Sequence, residues 1–150
     1  MVAFFATAFA QQGSAKMVAD KSALLDLYYN IKDALVAGNS AEAAIKAKAF
    51  LTTLQAIDEK TIPSGNRNTL LKYAGLIAAT KDLQHQREHF ADFSTNMANL
   101  LKTVKLSDKP VYQAYCPMKK AYWLSNAKEI KNPYFGLAML TCGKVTDTIQ

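Results

Sequence analysis

The chain has two cysteines, and each keeps a methionine close by. Cys116 stands in Tyr115-Cys116-Pro117-Met118, and Cys142 ends Met139-Leu140-Thr141-Cys142. If Tyr112 to Met118 is a strand, Cys116 and Met118 share a face, because strand side chains alternate with period two. Met139 and Cys142 are three apart, so a helical or turning segment brings them together. Two thiolates and two thioethers form a soft donor set, suited to Cu(I) and ill suited to Mg²⁺ or Ca²⁺. Zinc prefers cysteine and histidine. Other readings stand beside this one. In an oxidising compartment two cysteines usually pair. A Cys116–Cys142 bridge closes a loop of about 27 residues, worth roughly 3.5 kcal/mol in chain entropy. Methionine also fills gaps beside apolar sites. From the residues alone, a metal site, a disulfide and packed thiols all remain open. The first two compete for the same sulfurs.

His85-Gln86-Arg87-Glu88-His89 fits H-x-x-E-H, in which two histidines one helical turn apart hold zinc and the glutamate acts as base. That chemistry needs a further ligand downstream, and Glu129 is the only glutamate after Glu88. Both histidines fall at or beyond the edge of an apolar stripe, so boundary positions are expected. His89 is kept as a fifth candidate ligand, leaning toward the sulfurs. No G-x-S-x-G, C-x-x-C or Gly-rich phosphate loop is present. The expectation is therefore a non-enzymatic protein.

At 150 residues, half hydrophobic and a fifth charged, the chain suits one globular domain. Its net charge is +6, and from Leu101 onward eight lysines face three acidic residues. Such a face can hold nucleic acid or an anionic surface. Arg67 and Arg87 are the only arginines, however, and groove reading leans on arginine. A solvated lysine surface without nucleic acid is expected. Residues 1–10, MVAFFATAFA, are an apolar run ending Ala8-Phe9-Ala10, the small-residue pattern that signal peptidase cuts. We expect a signal-peptide remnant over 1–10, cleavage after Ala10, a flexible leader over 11–19 and export. No later stretch reaches 18 apolar residues, so no membrane span is expected.

The positioning elements follow from periodicity. Leu24, Leu27, Tyr28, Ile31 and Leu35 mark a first helix, begun by Asp20 or Ser22 and ended at Gly38-Asn39. Ser40 is the expected cap of a second, striped by Ala44, Ala47, Leu51 and Leu54, with Ile57 at its end. Thr61 to Asn66 read as a turn. From Asn68 to about Thr103 the apolar face slips by one residue around Thr80 to Asp82. That predicts two helices there, either of those residues capping the second. After Pro110, VYQAYCPM and AYWLS read as a hairpin turning at Lys119-Lys120, and AMLTCGKV as a further short strand. The expected fold is mainly α. It is an antiparallel four-helix bundle with a small C-terminal β-hairpin or loop element, one domain over 20–150 with a motif region over 110–146.

Several residues carry a family resemblance. They are Cys116-Pro117-Met118, Trp123-Leu124-Ser125, Asn132-Pro133-Tyr134-Phe135-Gly136 and Met139-Leu140-x-Cys142-Gly143, with Gln86-Arg87, Phe90 and Ser94 upstream. The chain from Asp20 to Gln150 resembles a bacterial exported domain-of-unknown-function family. That family also occurs appended to periplasmic adaptor subunits of heavy-metal efflux pumps. The resemblance implies a periplasmic protein that binds or relays a heavy metal. The expected cargo is Cu(I), with Cys116, Met118, Met139 and Cys142 as ligands and an adaptor or other metal-handling protein as partner. The alternative is an interaction module stapled by Cys116–Cys142, with Trp123, Tyr134 and Phe135 as core or partner contacts. Family members commonly carry a longer insert after C-P-M, whereas here only Lys119-Lys120-Ala121 precede Tyr122. Those two lysines would lower nearby thiol pKa values and repel a bound cation.

Overall fold

A computed structural model describes residues 19–150. The expected signal remnant and nearly all of the leader lie outside these residues. Among the described residues, four helices come first: α1 (Ser22–Val36), α2 (Ser40–Ala56), α3 (Ser64–Ala79) and α4 (Leu83–Leu101). Strands β1 (Val111–Cys116) and β2 (Ala121–Ser125) follow, then a 3₁₀ turn over Gly136–Met139, then β3 (Lys144–Ile149). The protein is mainly helical, with a small three-stranded antiparallel sheet at its C-terminal end, ordered β2-β1-β3. Among the described residues, no helix is long and apolar enough to cross a membrane.

The helix boundaries obey local hydrogen bonding, with instructive shifts. The Asp20 carboxylate accepts from the Ser22 backbone N–H at 3.0 Å and its hydroxyl at 2.7 Å, opening α1. At its end Gly38 takes φ +71°, and the Asn39 and Gly38 N–H groups donate to Ala34 and Leu35 carbonyls. This is the Schellman closure that glycine permits. Asn39, not Ser40, caps α2, its amide oxygen accepting from Glu42 N–H at 3.0 Å. Asp82 caps α4 through His85 N–H at 2.9 Å, so the slip in periodicity does divide two helices. α3 starts at Ser64, inside the expected turn cluster, because the Pro63 carbonyl already accepts from Arg67 N–H.

Three later side chains satisfy the carbonyls at helix ends. Arg67 on α3 donates to Leu54, Ile57 and Asp58 carbonyls at 2.6–3.1 Å, closing α2. Gln86 on α4, fully buried, donates to the Ile77 and Thr80 carbonyls ending α3 and to that of Ser40. Arg87 donates to the Leu35 carbonyl at 2.8 Å, closing α1. A guanidinium at a helix C-terminus also answers the negative end of the macrodipole. Both arginines of the chain are thus engaged with backbone.

The core is continuous from helices to sheet. On α2 its face is Ala43, Ala47, Phe50 and Leu54, which brings in Phe50 and leaves the expected Leu51 half-buried. Tyr28 stacks on Phe90 at 5.2 Å, and Phe93 meets Phe50 edge-on at 4.9 Å. The Tyr28 hydroxyl pairs with Ser94 Oγ at 2.7 Å and accepts from Leu124 N–H at 2.9 Å. One phenol therefore links α1, α4 and β2. Burial pushes its pKa well above the ordinary 10.0, and burial does the same for Tyr29.

Tyr28→Phe leaves the Leu124 N–H without its acceptor and should destabilise the fold by about 1–3 kcal/mol, read from urea midpoints. The raised phenol pKa values contribute stability below about pH 10. Above it the unfolded chain ionises first, and the contribution is lost. Wild type should weaken steeply as pH rises above about 10, and Tyr28→Phe less so. Parallel pH slopes would refute this account of Tyr28.

Candidate functional site

Cys116 ends β1 on the core-facing side and is fully buried, paired in register with Ala121. Beyond it the chain reverses over Pro117 to Lys120. Lys120 N–H donates to the Cys116 carbonyl at 2.8 Å, and Lys119 N–H points at Cys116 Sγ at 3.4 Å. Lys120 takes φ +56°, a left-handed position without glycine's freedom. The hairpin foreseen from the sequence is present, and its turn directs an amide at the sulfur.

Cys142 reaches the same place from the other side of the sheet. β3 pairs with β1 so that Tyr115 faces Lys144, which sets Gly143 and then Cys142 beside the end of β1. β3 begins at Lys144, later than the strand expected over AMLTCGKV, because Gly136–Met139 forms a 3₁₀ turn first. Asn132 shapes that loop. Its side-chain oxygen accepts from Tyr134 and Phe135 N–H, and its amide donates to the Cys142 carbonyl at 2.7 Å. Its own N–H donates to the Leu140 carbonyl at 2.8 Å.

Two glycines allow the loop to seat. Gly143, at φ +138°, lies so close to Trp123 that an added Cβ would stand 2.7 Å from the indole and 2.9 Å from the Tyr115 carbonyl. Gly136, at φ +54°, sits over the end of α1, where a Cβ would lie 2.7 Å from Arg87 Nη2 and 2.8 Å from the Val36 carbonyl. The sequence flagged both as glycines but gave no sign of what they approach.

The structure brings Cys116 and Cys142 together, both as free thiols. Cys142 is half-buried, and its pKa is raised. Desolvation is the leading cause, followed by the hydrogen bond and charge of the adjoining Cys116 thiol, while the Met118 N–H acts in the opposite sense. The lysines expected to lower thiol pKa values are not among the causes for Cys142. Met118 thus contributes a backbone amide here, and its side chain is 66% exposed. Met139 accepts from Cys142 N–H at 3.1 Å through its carbonyl, with a half-buried side chain.

The remaining candidates divide. His85 is exposed and His89 half-buried on α4. Among the described residues, no group of three or more His, Cys, Asp or Glu side chains is placed to hold a metal ion. His89 therefore does not complete a three-residue set with the cysteines. His85, Glu88 and His89 gain no further ligand of these types either. Trp123 and Tyr134, 1% and 4% exposed, belong to the core and present no face to a partner. Tyr134 meets Trp123 edge-on and donates its hydroxyl to the Tyr122 carbonyl. Phe135 is half-buried. A cavity of about 640 Å³ opens between the start of α1 and Lys105 to Pro110, and none of the candidate residues lines it.

Gly143→Ala forces a side chain against Trp123 at a φ that L-residues avoid. It should destabilise by at least about 2 kcal/mol. Trp123 is the only tryptophan, so its emission should shift to the red as the indole loses its packing. Unchanged emission and urea midpoint would contradict this close fit.

No curated protein and no solved structure matches the chain. The sequence profile of one family, described as "Protein of unknown function (DUF3347)", matches residues 24–109, from α1 to the linker before β1. The matched span holds Gln86, Arg87, Phe90 and Ser94 but stops short of both cysteines. It covers more than half of the sequence, and the chain belongs to this family of proteins of unknown function.

Proposed function

We propose that this protein is an exported, non-enzymatic carrier of a soft metal ion, most simply Cu(I), and that Cys116 and Cys142 are its principal ligands. One observation carries the reading: two free thiols from distant segments adjoin, and the Lys119 N–H is directed at Cys116 Sγ. Such an amide stabilises sulfur-centred negative charge, which a thiolate ligand requires. Two thiolates suffice for linear Cu(I) coordination, whereas structural zinc calls for four ligands. Met118 and Met139, two and three residues from a cysteine along the chain, are assigned as thioether donors that join as the ion is taken up or passed on.

Subtraction also supports the reading. Most of the remaining motif residues have structural work. Gln86 and Arg87 close helix ends, Ser94 and Leu124 meet Tyr28, Asn132 shapes the loop, and Gly136 and Gly143 allow close packing. Pro117 and Met118 are exposed beside the thiols. In this proposal the helices form an antiparallel bundle that carries the sheet. The apolar run over 1–10 directs export to the periplasm, with cleavage after Ala10. The partner is an adaptor subunit of a heavy-metal efflux pump or another metal-handling protein.

A second reading rests on the exposed apolar side chains Met118, Tyr122 and Leu137 near the sheet. It makes this end an interaction surface with no metal role.

Titrating Cu(I) against a competing chelator separates the two. Reduced wild type should take up one equivalent. Cys142→Ser should lose most of that affinity, and Met118→Leu or Met139→Leu should weaken it by about tenfold, or about 1.4 kcal/mol. Failure of reduced wild type to compete for Cu(I) would end the metal reading.

A further inference from the structure

We propose that Cys116 and Cys142 form a reversible dithiol–disulfide couple that exchanges with low-molecular-weight disulfides, with Cys142 attacking first and Cys116 resolving. The inference goes beyond the metal reading and does not need it.

Accessibility fixes the order. Cys116 is wholly buried at the end of β1, so an external disulfide cannot reach it. Cys142 is half-buried, on the loop that leads into β3. The pairing of Tyr115 with Lys144 sets the loop that carries Cys142 beside the end of β1, where its thiol adjoins that of Cys116. Asn132 anchors the Cys142 carbonyl, so the loop presents the thiol from a defined position. The Lys119 amide directed at Cys116 Sγ steadies charge on the buried sulfur as it becomes the second nucleophile.

The chemistry is ordinary exchange. The Cys142 thiolate attacks one sulfur of an external disulfide R–S–S–R. A bond forms between Cys142 and that sulfur, the R–S–S–R bond breaks, and RS⁻ leaves. The Cys116 thiolate then attacks the Cys142 sulfur and expels the second RS⁻. Two protons released by the cysteines end on the two RS⁻ groups, giving two RSH. The cysteine pair is oxidised by two electrons and the external disulfide is reduced by two. Where the metal reading also holds, closure consumes both thiolates and empties the site.

The test uses the full reduced chain with glutathione disulfide as the probe, read by intact mass and free-thiol titration. Wild type should become about 2 Da lighter, lose both thiols and recover them with dithiothreitol. Cys116→Ser should stop at a stable mixed disulfide on Cys142, whereas Cys142→Ser should remain unmodified while folded. Limiting iodoacetamide on wild type should label Cys142 ahead of Cys116, and this readout needs no variant to fold. Wild type that keeps both thiols, or that halts at the mixed disulfide, overturns the couple. Preferential labelling of Cys116 overturns the assigned order. Closure without Cu(I) uptake by the reduced protein would sink the metal reading alone and leave this one intact.

Discussion

The Tyr28 phenol is the point on which helices and sheet depend together. Its ring lies in the aromatic core with Phe90 and Phe93, and its hydroxyl serves Ser94 and the Leu124 amide. A buried hydroxyl without partners would be a liability of a few kcal/mol. Here it has two partners, and each belongs to a different element. The sheet's placement against α4 follows from that bond and from the packing of Trp123 and Tyr134 behind it. Because β1 is paired to β2 from Tyr112 to Cys116, the position of Cys116 descends from the same anchor.

Helix ends set the second constraint. The carbonyls at a helix C-terminus have no partner within the helix. Arg67, Gln86 and Arg87 each supply donors to an earlier helix, so the four helices are tied by polar bonds as well as apolar packing. This accounts for polar residues that interrupt the apolar stripes. Gln86 and Ser94 sit wholly buried on α4, each matched to a backbone or phenol partner. It also accounts for Gly136, whose lack of a side chain lets the C-terminal loop lie directly over the Arg87 cap.

Much of the helical part was legible in the sequence. Period, capping residues and the slip near Thr80 to Asp82 each mark something local, and local signals survive folding. Errors arose where a distant partner decided. Phe50 rather than Leu51 faces the core, because Phe93 stands opposite it. Ser64 opens α3 inside an apparent turn, where Arg67 reaches back to α2. The hairpin was legible from its strand texture. The 3₁₀ turn before β3 was not, since Asn132 imposes it through bonds that reach ten residues onward. For the site, spacing joined each cysteine only to its own methionine, and the meeting of the two cysteines depends on the pairing of β3 with β1. That Trp123 and Tyr134 are interior, and that His89 lies outside any cysteine cluster, depended on packing that no spacing encodes.

The sheet's anchoring bonds also bear on the order of assembly. α1 meets α2, α2 meets α3 and α3 meets α4 in succession, all through neighbours in the chain. The Tyr28 bonds to Ser94 and Leu124, by contrast, span 66 and 96 residues. Contacts between distant segments carry the larger loop-closure entropy and form slowly relative to local ones. Docking of the sheet thus belongs to the late stage of folding, after the helices have paired. Until then Cys116 has no interior to enter, and a nascent chain meets any oxidant with both sulfurs uncovered.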